Sequence, residues 1–376
     1  MNMKDREYDY WLSNINSIGP KKIDYLLDYY GSSEEVYKAS EESINEAIKS
    51  AVEQGIVRFN KKDTNNICGN KNLDRIHMEY NILLNKGIHF ITKSDKEYPD
   101  KLRPLYNGPF AIYVKGNIPD MTRKMIAIVG TRNASVYGME VTKYLAKSLA
   151  TAGIGIISGL ARGIDTYAHK GALEASAITY GVLGCGIDIC YPRENIEIYM
   201  AMQNQGGIIS EYPPGEKPYA SNFPMRNRII SGLSDGILVV EAKEKSGSLI
   251  TVDMGLEQGK DIYAIPGRIT DALSVGCNNL IKMGAKLVGS PNDILEELLA
   301  NYDNNHIEND KYQVTKNMTK EEIQVYESIT LEPTNIEDIA TITSIPIPDL
   351  METLLKLELA NKIKQPYRNF YMKNIL

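Results

Sequence analysis

The sequence predicts an α/β fold: a mostly parallel sheet covered by helices on both faces, with a helical domain before it and a winged-helix domain after it. Three observations predict it. Between residues 125 and 299, short unbroken apolar runs alternate with helical periodicity, as expected of strands buried on both faces. Residues 1–85 carry helical spacing without such runs. Residues 319–376 hold three short helical patterns and a hairpin pattern.

In the first segment, Tyr8, Trp11, Leu12, Ile15 and Ile18 recur at helical spacing, and residues 22–30 resume the pattern. The break Ile18-Gly19-Pro20-Lys21-Lys22 has the form of a helix-hairpin-helix turn, which either holds a DNA phosphate on N–H groups at a helix start or simply connects two helices. Residues 86–120 read as a connector with short strands at 88–92 and 111–114. The sheet domain, 121–300, carries its apolar runs at 126–129, 154–157, 178–183, 207–209, 237–240, 262–265 and 286–288. Residues 301–318, rich in Asn and Asp, read as a linker. In the last domain, helices are expected over 321–329, 335–342 with Thr334 as N-cap, and 348–361, before a hairpin over 363–371.

A chain of 376 residues suits two or three domains, and 43% apolar with 24% charged residues is typical of a soluble globular protein. No stretch approaches the roughly 18–20 apolar residues of a membrane span, and the first residues lack the apolar core of a signal peptide. A cytoplasmic protein is expected. Cys68, Cys185, Cys190 and Cys277 match no zinc or redox spacing, so no metal or cofactor is expected. A net charge of −6 argues against coating duplex DNA by charge alone but leaves room for a local basic site.

In a parallel sheet, ligands bind beyond the carboxyl ends of the strands. The segments there are 130–133, 158–165, 184–195, 210–215, 241–251 and 266–268, and nearly all are built of Gly, Ser, Thr and Arg. Glycine lets a phosphate approach the backbone, helix starts supply N–H donors, and arginine adds bidentate recognition. The expected product is a phosphate-binding rim that includes Gly130, Arg132, Ser158, Gly159, Ser246, Gly247, Ser248 and Thr251. In 223–232, Pro224 suits a first helical turn, which puts Arg226 and Arg228 near a helix N-terminus that disfavours cations by about 0.3–1 kcal/mol each. Either a bound anion or a carboxylate such as Glu211 or Asp235 offsets that cost. Phe223 fits either a base-stacking platform or the core. Catalytic groups are thin: His169 reads as structural, no nucleophile elbow or Walker loop is present, and Gly184-Cys185-Gly186 lacks the rest of a dinucleotide fingerprint. No enzyme is expected.

At these residues the chain resembles the DNA-processing protein A family (DprA, also called Smf), through Gly130-Thr131-Arg132, 158–165, Ala168-His169, 181–195, 210–213, 223–234, 246–251 and 276–281. The resemblance implies a Rossmann-like core, a SAM-like helical domain before it and a winged-helix domain after it. It implies a protein that binds and protects single-stranded DNA, assists loading of a RecA-type recombinase in natural transformation, and forms a homodimer. Carried over by motif, Arg132 and Arg193 would contact phosphates, the Ser158-Gly159 backbone would line the same pocket, and Phe223, Arg226 and Asn227 would form its wall. The region from Asn278 to Leu287 would be the dimer edge. Several family members have lysine where Arg193 stands, which keeps the charge but not the fork geometry. The third helix of the last domain, with Asp349, Glu352 and Glu358 against Lys356 and Lys362, is too acidic for a recognition helix and points to a protein-interaction or regulatory role. Two rival readings are a lysine-decarboxylase-like nucleotide N-glycoside hydrolase, whose signature glutamates are missing from 246–253, and a winged-helix regulator of duplex DNA.

Overall fold

The computed structural model describes residues 3–60, 62–299, 318–330, 333–360 and 362–373. The expected linker lies outside the described residues except for Met318. The chain divides into two compact units, 1–298 and 299–376.

The first unit opens with six helices: α1 (Met3–Ser13), α2 (Pro20–Tyr30), α3 (Ser33–Lys38), α4 (Glu41–Glu53), α5 (Asp63–Gly69) and α6 (Leu73–Asn85). Side chains of Ser32, Ser40 and Asn72 accept N–H bonds at the starts of α3, α4 and α6, where such residues satisfy otherwise orphaned donors. At the suspected helix-hairpin-helix turn, Lys22 donates to Asp63 at 2.7 Å and to the Ser17 carbonyl, while the Lys21 ammonium sits over the Tyr106 ring. Lys22 is spent inside the molecule, which favours a helix connection there; Lys21 and the Tyr106 ring beneath it are exposed. Trp11, Leu12, Leu26 and Tyr80 share one apolar core with Phe90, Tyr113, Leu183 and Tyr199, so these helices pack directly on the sheet.

The sheet comprises β1 (Ile88–Thr92), β2 (Ala111–Gly116), β3 (Met125–Val129), β4 (Gly155–Ser158), β5 (Thr179–Leu183), β6 (Gly206–Ser210), β7 (Gly236–Val239), β8 (Asp261–Ala264) and β9 (Lys286–Leu287), in the order β1-β2-β6-β5-β4-β3-β7-β8-β9. From β6 to β9 every neighbouring pair is parallel. The segment read as a connector does more than connect: β1 and β2 extend the sheet antiparallel beside β6. The main crossovers carry α7 (Val136–Thr151), α8 (Ile164–Glu174), α9 (Ile196–Met202), α10 (Asn222–Leu233), α11 (Gly247–Glu257) and α12 (Val275–Lys282), with α13 (Asn292–Leu298) after β9. β3 to β7 are buried throughout, as their unbroken apolar runs require. The chain lays β3 to β6 outward in one direction and returns to place β7 on the other side of β3. That reversal makes a switch point between β3 and β7, where doubly wound folds bind ligands.

The second unit contains α14 (Lys320–Ser328), β10 (Thr334–Asn335), α15 (Ile336–Thr343), α16 (Ile347–Leu359), β11 (Ile363–Tyr367) and β12 (Phe370–Lys373). Its three strands run in the order β10-β12-β11, and Val325, Ile339, Leu350, Leu354 and Leu357 form its core. This is a winged helix. Asn335, not Thr334, caps α15, because Thr334 and Asn335 pair with β12 and delay the helix by one residue.

Candidate nucleic-acid interface

The switch-point crevice is filled by the chain itself. Ser135 caps α7, its Oγ accepting from the Gly138 N–H at 3.0 Å. The Ser135 N–H and Oγ both donate to the buried carboxylate of Glu241, at 2.9 and 2.5 Å. A Cβ on residue 138 would fall 2.4 Å from that carboxylate, so only glycine admits it. The macrodipole of α7 therefore already has its anion, and this helix start is not open to the phosphate-binding rim the sequence suggests. Gly130 serves close packing in the same place, against Ile164 and the Glu241 carbonyl.

The β4 loop is likewise internally saturated. Ser158 donates its hydroxyl to the Ile128 carbonyl at 2.6 Å. The Gly159 N–H goes to Asp165 Oδ2 at 3.1 Å, and its carbonyl accepts from Arg226 Nη1 at 2.7 Å. The same Nη1 donates to the Val182 carbonyl, and Arg226 Nε to Asn227 Oδ1 at 3.2 Å. The Arg226 guanidinium lies where a side chain at residue 159 would be. Thus Ser158, Gly159, Arg226 and Asn227 form a buried brace beneath the rim, not its exposed wall. Burial pulls Arg226 below the usual guanidinium range, with the charge of Asp165 opposing; the same burial raises Asp165, against Arg226 and the N–H groups of residues 159 and 161.

The macrodipole argument for Arg226 and Arg228 also fails, since α10 starts at Asn222 and both arginines lie beyond its first turn. Arg228 is spent on Glu211, at 2.7 and 2.8 Å, and on the Asn107 carbonyl. Buried His169 meets Thr179 Oγ1 through Nδ1 at 2.7 Å; because that hydroxyl donates to the Ile156 carbonyl, His169 is the donor. Burial, helped by the charge of Arg226, pushes its imidazole down to about 3.

What remains at the surface is compact. Arg132 is exposed, its guanidinium over the Phe223 ring at 5.5 Å. Phe223, half-buried, fills the space a side chain at Gly184 would need, and tilts against Tyr191 with ring centroids 5.7 Å apart. Arg193, two residues beyond Tyr191, is exposed, and no carboxylate pairs with it or with Arg132 among the described residues. Neighbouring Arg162 is paired with Glu194 at 2.5 Å. At the start of α11, Ser246 caps the helix and Gly247 is exposed, but Ser248 and Thr251 are buried, so their side chains are not part of an open rim. At the expected dimer edge, Asn278 spends its amide on both backbone groups of Gly267, whereas Leu287 is exposed on edge strand β9.

Sequence reasoning missed Tyr191 and Glu241. With 24 tyrosines in the chain, Tyr191 does not stand out by residue type; its place in a loop after β5, two residues from Arg193, is the available signal. Glu241 could have been found as a carboxylate directly after β7, facing the serine-capped helix after β3.

Fold and surface together define a Rossmann-like α/β protein whose carboxyl edge closes its switch-point crevice and presents one arginine over an aromatic pair, with a second exposed arginine two residues along the same loop. A family model described as DNA recombination-mediator protein A matches residues 89–299, and one described as DprA winged helix domain matches 310–366. The chain belongs to the DNA recombination-mediator protein A family, DprA/Smf. It is 44% identical over 214 residues to DNA processing protein DprA of Bacillus subtilis, a match covering 57% of this chain and 72% of that one. The solved structure of DprA from Streptococcus pneumoniae is similar with a TM-score of 0.56 at 34% identity, over 74% of this chain and 97% of that one. A structure of DprA from Helicobacter pylori, described for its single-stranded DNA binding mode, is similar with a TM-score of 0.52 at 29% identity, over 57% of this chain and 97% of that one.

Proposed function

We propose that this protein is a non-enzymatic, cytoplasmic single-stranded DNA binder that protects a strand and assists loading of a RecA-type recombinase during transformation or recombination, acting as a homodimer. The observation that carries the reading is exposed, carboxylate-free Arg132 over the Phe223–Tyr191 aromatic pair, with exposed Arg193 two residues beyond Tyr191 on the same loop. Guanidinium groups suit phosphate oxygens, and aromatic rings suit unpaired bases. The single-stranded DNA named for the Helicobacter pylori relative supports the same ligand. A homodimer would double this track and raise avidity without a new kind of contact.

The test is a salt titration of binding to an unstructured oligonucleotide. Each phosphate contact contributes about 0.7 to the slope of log affinity against log salt on a single strand. Arg132→Ala and Arg193→Ala should each flatten the slope by about that amount and weaken binding for all sequences alike. Unchanged affinity and slope in the double variant would overturn the reading.

A further inference from the structure

At the amino edge of the sheet, opposite the rim, positive charge is gathered with too little negative charge to match it. We propose that Lys101, Lys124 and Lys260 form a second anion site, suited to a phosphate group and independent of the single-strand reading above.

The lysines meet because three neighbouring strands begin side by side. Lys124 precedes β3, Asp235 precedes β7 and Lys260 precedes β8. The register pairs Ile126 with Gly236 and Gly236 with Asp261, so Asp235 and Lys260 stand at one level on adjacent strands, about 4.8 Å apart. Lys101 arrives from the short helical turn Asp100–Leu102.

One carboxylate serves this group. Asp235 Oδ2 accepts from Lys101 Nζ at 2.6 Å and from the Met125 N–H at 2.8 Å, and Oδ1 faces Lys124 Nζ at 3.5 Å. Lys260 receives no share. Its side chain is partly buried, and its ammonium has no hydrogen bond or ion pair among the described residues. Burial, then the charge of Lys101, pulls Lys260 below the ordinary lysine range; Asp235 opposes this and Lys124 adds to it.

Three ammonium groups against one carboxylate leave two positive charges. α10 and α11 end at Leu233 and Glu257, just before this edge, and a helix carboxyl end contributes about half a negative charge. Both ends together still leave about one positive charge unmatched. The acids nearest in sequence do not supply it. Asp100 pairs with Arg103 and Asp120 with Arg123, while Glu257 and Asp261 are exposed and make no ion pair with Lys260. Ammonium groups converging from several directions suit the tetrahedral oxygens of a phosphate better than the planar pair of a carboxylate. That phosphate is either free or part of a nucleic-acid backbone, with the same chemistry in both cases.

The experiment follows the thermal midpoint of the full chain in rising inorganic phosphate, against acetate at equal ionic strength. At ten times its dissociation constant, one bound phosphate should raise the midpoint by about 3 °C, and acetate should not. Lys260→Met, which keeps an apolar stem, should lose most of that shift, and Lys124→Ala, at a more exposed position, part of it. The double variant Arg132→Ala, Arg193→Ala should keep it. Because Lys260 crowds two like charges, Lys260→Met should also raise the midpoint in phosphate-free buffer; a lower midpoint there would show that the ammonium is already compensated and overturn the site. An undiminished phosphate shift in both lysine variants, or an equal response to acetate, overturns it too. Lysine acylation by a water-soluble active ester, read by mass spectrometry, separates the sources. Inorganic phosphate should slow labelling of Lys124 and Lys260, and its failure to do so sinks the proposal. Slowing by oligothymidylate in phosphate-free buffer assigns the site to a DNA backbone; protection by inorganic phosphate alone assigns it to a free phosphate. The rim can fail its salt titration and leave every one of these outcomes unchanged.

Discussion

At the scale of single residues, the rim is held from behind by groups that never reach solvent. Arg226 is 5% exposed, and its donors tie the carbonyl of Gly159, 67 residues away in sequence, to that of Val182, 44 residues away. The β4 loop is thereby locked at a fixed spacing from the end of strand β5. Arg226→Lys keeps the charge but loses the planar fork. His169 belongs to the same buried layer and makes its own prediction. Its folded pKa of about 3 lies below the ordinary histidine value of 6.5, so between those values the unfolded chain binds a proton that the folded chain refuses. Stability from this group is complete above pH 6.5 and falls as pH drops, by about 2 kcal/mol at pH 5. Urea midpoints measured from pH 8 to pH 5 should therefore decline in the wild type and decline less in His169→Gln. Equal slopes would show that His169 is protonated without penalty.

At the scale of elements, the decisive arrangement is α7 with its built-in anion. The Glu241 carboxylate accepts two bonds from Ser135 at the helix start and occupies the crevice between β3 and β7. Glu241→Ala removes charge-assisted hydrogen bonds and should cost about 1.5–3 kcal/mol. It also uncovers an anion site, so added sulfate should raise the thermal midpoint of the variant more than that of the wild type. An identical response in both would mean that the carboxylate is not what fills the helix start. This element also shows where sequence stops being legible. The parallel sheet could be read because its strands are apolar on both faces, a local pattern. The loops at its carboxyl edge could be read because Gly, Ser and Arg recur after each strand. Which loop groups remain free could not be read. Ser158, Gly159 and Arg226 look like ligand donors in sequence and turn inward only through partners on other strands. For the same reason β1 and β2 were visible as strands but not as the antiparallel edge beside β6.

At the scale of the whole molecule, the question is which unit meets DNA. The net charge of −6 supplies no general attraction, so the proposed binding has to come from a local site such as the rim. In the winged helix, the helix that would read a major groove is α16. Its outward residues Ile347, Met351, Leu355 and Leu359 recur every four positions, so they line one apolar stripe. Asp349 and Glu352 are exposed beside it, and Lys356 is engaged by Glu352 at 2.7 Å. Neither an apolar stripe nor a carboxylate suits a phosphate backbone, and base edges are read mainly by Arg, Lys, Asn and Gln. A chain ending at Leu298, where the first compact unit ends, should therefore bind oligothymidylate within about twofold of the full chain and keep its salt slope, since no phosphate contact is removed. The full chain should likewise prefer single over double strands in a competition gel shift. A loss near tenfold on truncation, or a duplex preference that vanishes with the second unit, would assign the winged helix a DNA contact and require a basic surface other than α16 to make it.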